Sequence, residues 1–286
     1  MMAAQSVWMQ PGPGQTLCFG IAGVALQVTG PDSWLAPLRC AWAPWLLRET
    51  VDAWPVDLIP NPALAPPDAP LFESVPRCRD GLCTLVGAGF QGRVDAGQAR
   101  ARLQAHPRAA PADAGYFLRV VAAVQAFARG GMLFHAAGVV HQARGYAFFG
   151  LSGSGKTTVA RFSAPAPVLN DDLLLVWPAG EGWSVYATPF GKRRGTPEGA
   201  PSGAPSGVPL CALLRLVKDR DVFLRPLPKS RALGDLVANT PVLSGDGVWL
   251  PSVLSRWDAL MARVPVYALH FRQDPAFWEV IDAELG

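Results

Sequence analysis

The stretch Gly150-Leu151-Ser152-Gly153-Ser154-Gly155-Lys156-Thr157-Thr158 fits the pattern G-x-x-x-x-G-K-[ST] without deviation. Each residue type in it has a physical task. Gly150, Gly153 and Gly155 admit positive φ, so the backbone can turn its N–H groups, those of Ser152 and Ser154 among them, onto phosphate oxygens. A helix that opens at the loop adds its positive end to the same anion. Lys156 can reach the outer phosphates, and the Thr157 hydroxyl, followed by Thr158, can ligate Mg²⁺. The mechanism demands an apolar strand before the loop and helix formers after it, and Tyr146–Phe149 and Thr157–Phe162 supply both. The bland alternatives are a glycine turn that binds nothing and a degenerate nucleotide site kept for structure. The context favours a bound nucleoside triphosphate, ATP with Mg²⁺.

A second group of residues carries charge where charge is costly. Asn170-Asp171-Asp172 interrupts the apolar run Pro167–Trp177. Two adjacent carboxylates inside such a run need a cation or a cleft. Beside the loop, one of them can hold Mg²⁺ and the other can accept a proton from an attacking hydroxyl. A solvated turn at a strand edge is the alternative, and the loop fifteen residues upstream argues against it. There is no N-K-x-D for guanine and no ABC-type signature. The compact order of loop, helix and acidic strand suits a phosphotransferase.

Taken together, these residues resemble the HPr kinase/phosphorylase family and its smaller relatives, including kinases found beside ribosomal-peptide genes such as lasso-peptide kinases. Four features carry the resemblance, in order: Phe134-His135-Ala136-Ala137-Gly138, the loop Gly150–Thr157, the pair Asp171-Asp172, and Thr188-Pro189-Phe190-Gly191 before a basic loop. It covers residues 130–195 well and Val264–Trp278 loosely. It implies a P-loop nucleotide-binding core with the HPr kinase/phosphoenolpyruvate carboxykinase-like fold. Asp171 is implied as the general base, Asp172 as a metal or orienting group alongside Thr157, and His135 as a neighbour that tunes the pair. Arg193, in the basic loop, is read either as solvated or as a cation that closes over the γ-phosphate. The implied reaction is transfer of the γ-phosphoryl group of ATP to a serine-type hydroxyl on a peptide or small protein. Two departures stand out. Thr158 occupies a place where the larger enzymes carry an acid, and their second signature stretch is not recognisable. The alternatives are a nucleotide-binding regulatory or assembly protein without phosphotransfer, and a kinase of a small hydroxyl metabolite.

The elements that must position these groups follow from periodicity and from glycine and proline punctuation. Residues 17–28 read as a strand or hairpin, Trp34–Leu47 as a short helix or two, Asn61–Pro70 as a loop, Cys83–Val86 as a strand, and Ala96–His106 as helical in composition. Pro107–Asp113 reads as a linker. Phe117, Val120, Val121, Val124 and Phe127 form a helical stripe that Gly130-Gly131 stops. Then follow strands at Met132–Val140, Tyr146–Phe149, Val168–Trp177, Ser184–Ala187, Leu210–Leu216, Val222–Leu227 and Val264–Phe271, with helices at Thr157–Phe162, Arg231–Thr240, Ser252–Ala262 and Pro275–Leu285. Lys192–Pro209, dominated by Gly, Pro, Ser and Ala, reads as a flexible loop. The fold class is α/β, with a small N-terminal α/β domain at 1–110 and the nucleotide-binding domain at 111–286.

Composition narrows the partners. Half of the 286 residues are hydrophobic and 16% are charged, which excludes a wholly disordered chain. A net charge of +3 is too small to argue for nucleic acid. Leu17–Val28 is too short to span a bilayer, so no membrane partner is expected. The five cysteines include no C-x-x-C pair, and with no secretory signal visible the expectation is reduced thiols in the cytoplasm. A homo-oligomer is compatible with the sequence.

Overall fold

A computed structural model describes residues 15–191, 206–243 and 248–286. The chain is a mixed α/β protein with two mixed sheets and, among the described residues, six α-helices. The N-terminal part holds β1 (Gln15–Ile21), β2 (Val24–Gly30), α1 (Asp32–Ala41), β3 (Leu46–Leu47), β4 (Trp54–Pro60), β5 (Arg77–Arg79), β6 (Leu82–Gly87), β7 (Phe90–Asp95) and β8 (Arg100–Ala105). They pair in the order β3-β1-β2-β4-β8-β7-β6-β5. β2, β4 and β8 run parallel, and α1 crosses from β2 towards β4. The expected hairpin at 17–28 is β1–β2. The helix expected at Ala96–His106 is instead strand β8. Helix-forming composition there gives way to a period of two that buries Ala101, Leu103 and Ala105 between β4 and β7.

α2 (Pro111–Ala128) begins inside the expected linker, with Pro111 in its first turn and Asp113 accepting a hydrogen bond from the Ala110 N–H at 2.8 Å. It is buried on nearly all sides, because both halves of the molecule pack on it. One apolar core joins Phe19, Leu26 and Val56 of the first sheet, Phe117, Leu118 and Val121 of α2, and Leu173, Leu175 and Phe190 from beyond residue 130. The core therefore runs across the expected boundary at residue 110. Fully buried Gln125 fixes the register of α2 on β2, since its carboxamide bonds both Ala25 N (3.1 Å) and Ala25 O (2.9 Å).

The second part continues with β9 (Met132–Phe134), β10 (Ala136–His141), β11 (Arg144–Phe149), α3 (Lys156–Phe162), β12 (Val168–Asn170), β13 (Leu174–Ala179), β14 (Gly182–Ala187), β15 (Val208–Lys218), β16 (Phe223–Pro226), α4 (Lys229–Ala238), α5 (Leu250–Met261), β17 (Val266–Phe271) and α6 (Phe277–Leu285). The central strands lie in the order β12-β10-β11-β15-β17-β16, with β11, β15 and β17 parallel. β15 also pairs through its first residues with β14, which continues to β13 and β9. The segment read as a loop to Pro209 thus already becomes strand at Val208. One sheet face packs Phe148 and Leu214 against Val159 of α3 and Phe277 of α6. The other packs Phe149 and Leu213 against Leu236 of α4 and Trp257 of α5.

Two continuous apolar runs turn out to be broken. Met132–Val140 divides into β9 and β10 at His135, and Val168–Trp177 divides into β12 and β13 at Asp171–Leu173. The cysteines also depart from expectation. Cys78 and Cys83 face each other across the β5–β6 hairpin and are joined as a disulfide, while Cys18, Cys40 and Cys211 are free. No helix among the described residues is long and apolar enough to cross a membrane.

Trp177 locks the two parts together. A Cβ at Gly23 would lie 2.0 Å from its ring, and one at Gly131 would lie 2.2 Å from it and 3.0 Å from Val176 O. Trp177 therefore sits in this seam, away from the glycine loop. Gly131→Ala is expected to destabilise the protein by about 1–3 kcal/mol, since the rigid, packed Trp177 ring rather than a flexible side-chain end must yield. Urea unfolding should show a lower midpoint at unchanged slope, and an unchanged midpoint would refute the close packing.

Candidate functional site

The site is built at one edge of the central sheet. β10 runs antiparallel to both β11 and β12, with Ala136 opposite Phe149 and Gly138 opposite Asn170. That register brings the start of β10 together with the ends of β11 and β12. His135 precedes β10, the glycine loop follows β11 and the acid pair follows β12. These three groups, spread over nearly forty residues, meet at the carboxyl end of the parallel strands, where α/β sheets bind their ligands.

The loop has the backbone that its glycines allow. Gly150, Gly153 and Gly155 have φ of 149°, 78° and 111°. Gly155 ends the loop directly against β17, where a Cβ would fall 2.6 Å from the Phe271 ring. Ser152, Gly153 and Thr157 are exposed, while Ser154, Gly155 and Thr158 are half-buried. Lys156 opens α3 and is buried, with Nζ donating to Gly150 O at 2.7 Å and lying 3.4 Å from Leu151 O. The ammonium thus lies across the mouth of the loop, the position from which it can meet phosphate oxygens.

The acid pair sits in a turn held by Asn170. Its Oδ1 accepts from the N–H groups of Asp172 (2.8 Å) and Leu173 (3.0 Å), and its Nδ2 donates to Thr188 O (2.9 Å). Thr188 is buried, and its hydroxyl donates back to Leu173 O at 2.6 Å. The two carboxylates leave this turn into different surroundings. Asp171 is buried, and its Oδ1 has no hydrogen-bond partner. Asp172 is half-buried and lies 3.4 Å from His135 Nε2. The His135 N–H bonds Asn239 O at the end of α4 (2.8 Å), which is why the strand breaks there.

Asp172 also lines a cleft of about 930 Å³ between the two halves. Its walls come from α1, the start of α2, the second half of α3 and Thr188–Gly191. Phe190 closes one side, edge-on to Trp42 (5.3 Å between centroids) and near Phe19 (5.9 Å), while Trp45 Nε1 donates to Ala187 O at 3.1 Å. No protein-family model matches the chain, and no curated protein matches it significantly. The site is therefore read from its own geometry.

An orphaned, buried carboxylate oxygen is costly unless a donor or cation meets it. Asp171, with the exposed Thr157 hydroxyl at the mouth of the loop, suits Mg²⁺, which takes a few protein oxygens and completes its shell with phosphate and water. Arg193 lies outside the described residues. Trp183 packs against the core on the far face. His141 pairs with Asp282 (2.9 Å) and His270 with Asp219 (2.8 Å), as expected of structural histidines.

Sequence reasoning missed Arg215. It stands opposite Phe149 on β15, beside the loop, and pairs with Asp235 of α4 at 2.5 Å. An arginine inside the apolar run of a strand buried on both faces was the available signal.

The loop makes a graded prediction. Gly153→Ala meets nothing within 4 Å and should cost only the left-handed strain, about 1–2 kcal/mol. Gly155→Ala adds a collision with the Phe271 ring and should cost more. Comparison of denaturant midpoints decides it, and equal losses would show that the ring yields.

Proposed function

We propose that this chain is an ATP-dependent kinase that transfers a phosphoryl group to a serine-type hydroxyl of a peptide or small protein. The observation that supports the reading is the meeting, at one sheet edge, of a loop with three positive-φ glycines, a lysine across its mouth, and two carboxylates in unlike surroundings. An anion cradle alone would serve any nucleotide-binding protein. A carboxylate that faces a cleft beside it adds a place for an acceptor.

The loop amides and Lys156 hold the triphosphate and offset the charge that spreads over the transferred group. Mg²⁺, held by Thr157 and Asp171, supplies further neutralisation of the phosphate oxygens when bound. The acceptor oxygen attacks the γ-phosphorus, its proton passes to Asp172, the bond from the γ-phosphorus to the bridging oxygen breaks, and ADP leaves. His135, 3.4 Å away, orients the Asp172 carboxylate. This assigns the base to Asp172 and the metal to Asp171, the reverse of the roles that the resemblance implies. The difference rests on exposure: a base must be reached by the acceptor, and Asp172 lines the cleft whereas Asp171 is buried.

Single-turnover transfer from labelled ATP to serine peptides separates the roles. Asp172→Asn should slow transfer by about 10²–10⁴-fold with nucleotide affinity preserved. Asp171→Asn should instead weaken magnesium-dependent nucleotide uptake, and Lys156→Ala should weaken uptake with or without magnesium. The roles revert if Asp171→Asn abolishes transfer while nucleotide affinity holds. The kinase reading itself fails if calorimetry on folded protein detects no magnesium-dependent nucleotide uptake.

A further inference from the structure

The cleft beside Asp172 has a chemistry of its own. A volume of about 930 Å³ is at the upper end for small-ligand pockets, roughly 300–1,000 Å³, and far below what a folded domain would need. Its walls carry the aromatic rings of Trp42, Trp45, Phe72, Tyr116 and Phe190. Phe72 is 63% exposed, an apolar surface left open at the cleft. Arg119, Arg161 and Asp172 are the charged residues among the described walls, so the lining carries an excess of positive charge. The Nε of Arg119 is buried without a hydrogen-bond partner, and its guanidinium carbon lies 5.9 Å from the centroid of the Tyr116 ring. That atom is sealed from solvent, so an outside acceptor would be met by the other N–H groups of this half-buried side chain, which lines the cleft and forms no ion pair among the described residues. The cleft also lies close to the proposed chemistry. Ala160 on its wall is four residues along α3 from Lys156, about 6 Å at the helical rise.

We propose that this cleft binds the phosphoryl acceptor as an extended peptide segment, with an apolar or aromatic side chain between the rings, a carboxylate on Arg119 and the hydroxyl at Asp172. The identity of the ligand as an acceptor rests on the kinase reading; the binding of the peptide does not. Arginine fits the task because its fork can grip a carboxylate through two N–H groups while its face rests on an aromatic ring. The carboxylate can come from an acidic side chain or from a chain terminus. Both offer the same two oxygens, and extended segments of a larger protein or short free peptides can present either. The excess positive charge disfavours a basic recognition sequence.

Titration calorimetry on the full-length protein tests this with three probes: acetyl-Phe-Ser-Asp-Gly-amide, acetyl-Phe-Ser-Gly with a free carboxylate, and the neutral acetyl-Phe-Ser-Gly-amide. At least one charged peptide should bind about tenfold tighter than the neutral one, and which does so identifies the source of the carboxylate. Arg119→Gln should erase that difference. Ala112→Trp, on the exposed rim of the cleft, should weaken all three. In both variants Mg·ATP affinity should stay at the wild-type value. Equal binding of charged and neutral peptides, or an unchanged preference in Arg119→Gln, overturns the proposal. So does a parallel loss of Mg·ATP affinity, which would make the cleft part of the nucleotide site. Peptide binding that follows the prediction in a protein that takes up no Mg·ATP would retain the peptide site and reject phosphoryl transfer.

Discussion

The carboxamide of Asn170 closes the turn on which the proposed chemistry depends. Its oxygen takes two successive backbone N–H groups and its nitrogen is tied to Thr188, so the chain reverses sharply between β12 and β13. Without that turn the apolar residues on either side would continue as one strand, and the two aspartates would be carried into the sheet. Adjacent residues of a strand alternate faces within one repeating environment. In the turn they diverge, one into the interior and one toward a cleft. The difference between Asp171 and Asp172 is therefore a property of the Asn170 side chain as much as of the aspartates. Gly191 completes the arrangement, because a Cβ there would fall 2.6 Å from Asn170 Oδ1.

The same segment joins the two halves. Thr188 supports the acid turn, and two residues later Phe190 enters the aromatic cluster of the N-terminal sheet. The cleft thus has a floor fixed by hydrogen bonds and a wall fixed by ring packing, and one short stretch supplies both. α2 does comparable work on the other side, where Gln125 grips β2 while the helix is buried between the halves. A division of the chain at residue 110 is natural in sequence, but the packing makes α1, which rests on the first sheet, a wall of the cleft rather than part of an appendage.

Much of this was legible. The loop declared itself because phosphate binding by backbone demands glycine at fixed steps, and the three glycines have the positive φ that the pattern requires. The stripe from Phe117 to Phe127 announced α2, and the glycines after it marked its end. What stayed hidden were the interruptions. His135 and the Asp171–Leu173 turn both break strands: the first break is set by a distant carbonyl, that of Asn239, which nothing local signals, and the second by the neighbouring Asn170 carboxamide together with the distant Thr188. β8 was hidden for a related reason: alanine, leucine and arginine favour helix in isolation, and neighbouring strands overrode that preference. The disulfide is a product of hairpin register, which cysteine spacing alone does not reveal.

The two interruptions have a common logic. A strand commits each residue's N–H and C=O to its neighbours, and it fixes side chains to two directions. A group that must approach a ligand from a third direction has to leave the ladder, and its backbone must then find other partners. His135 finds Asn239, and the acid turn finds Asn170 and Thr188. A sheet under no such demand would have kept both strands whole. That each departure finds replacement backbone hydrogen bonds, and that the two groups so released end 3.4 Å apart, argues that the breaks serve the site rather than the fold.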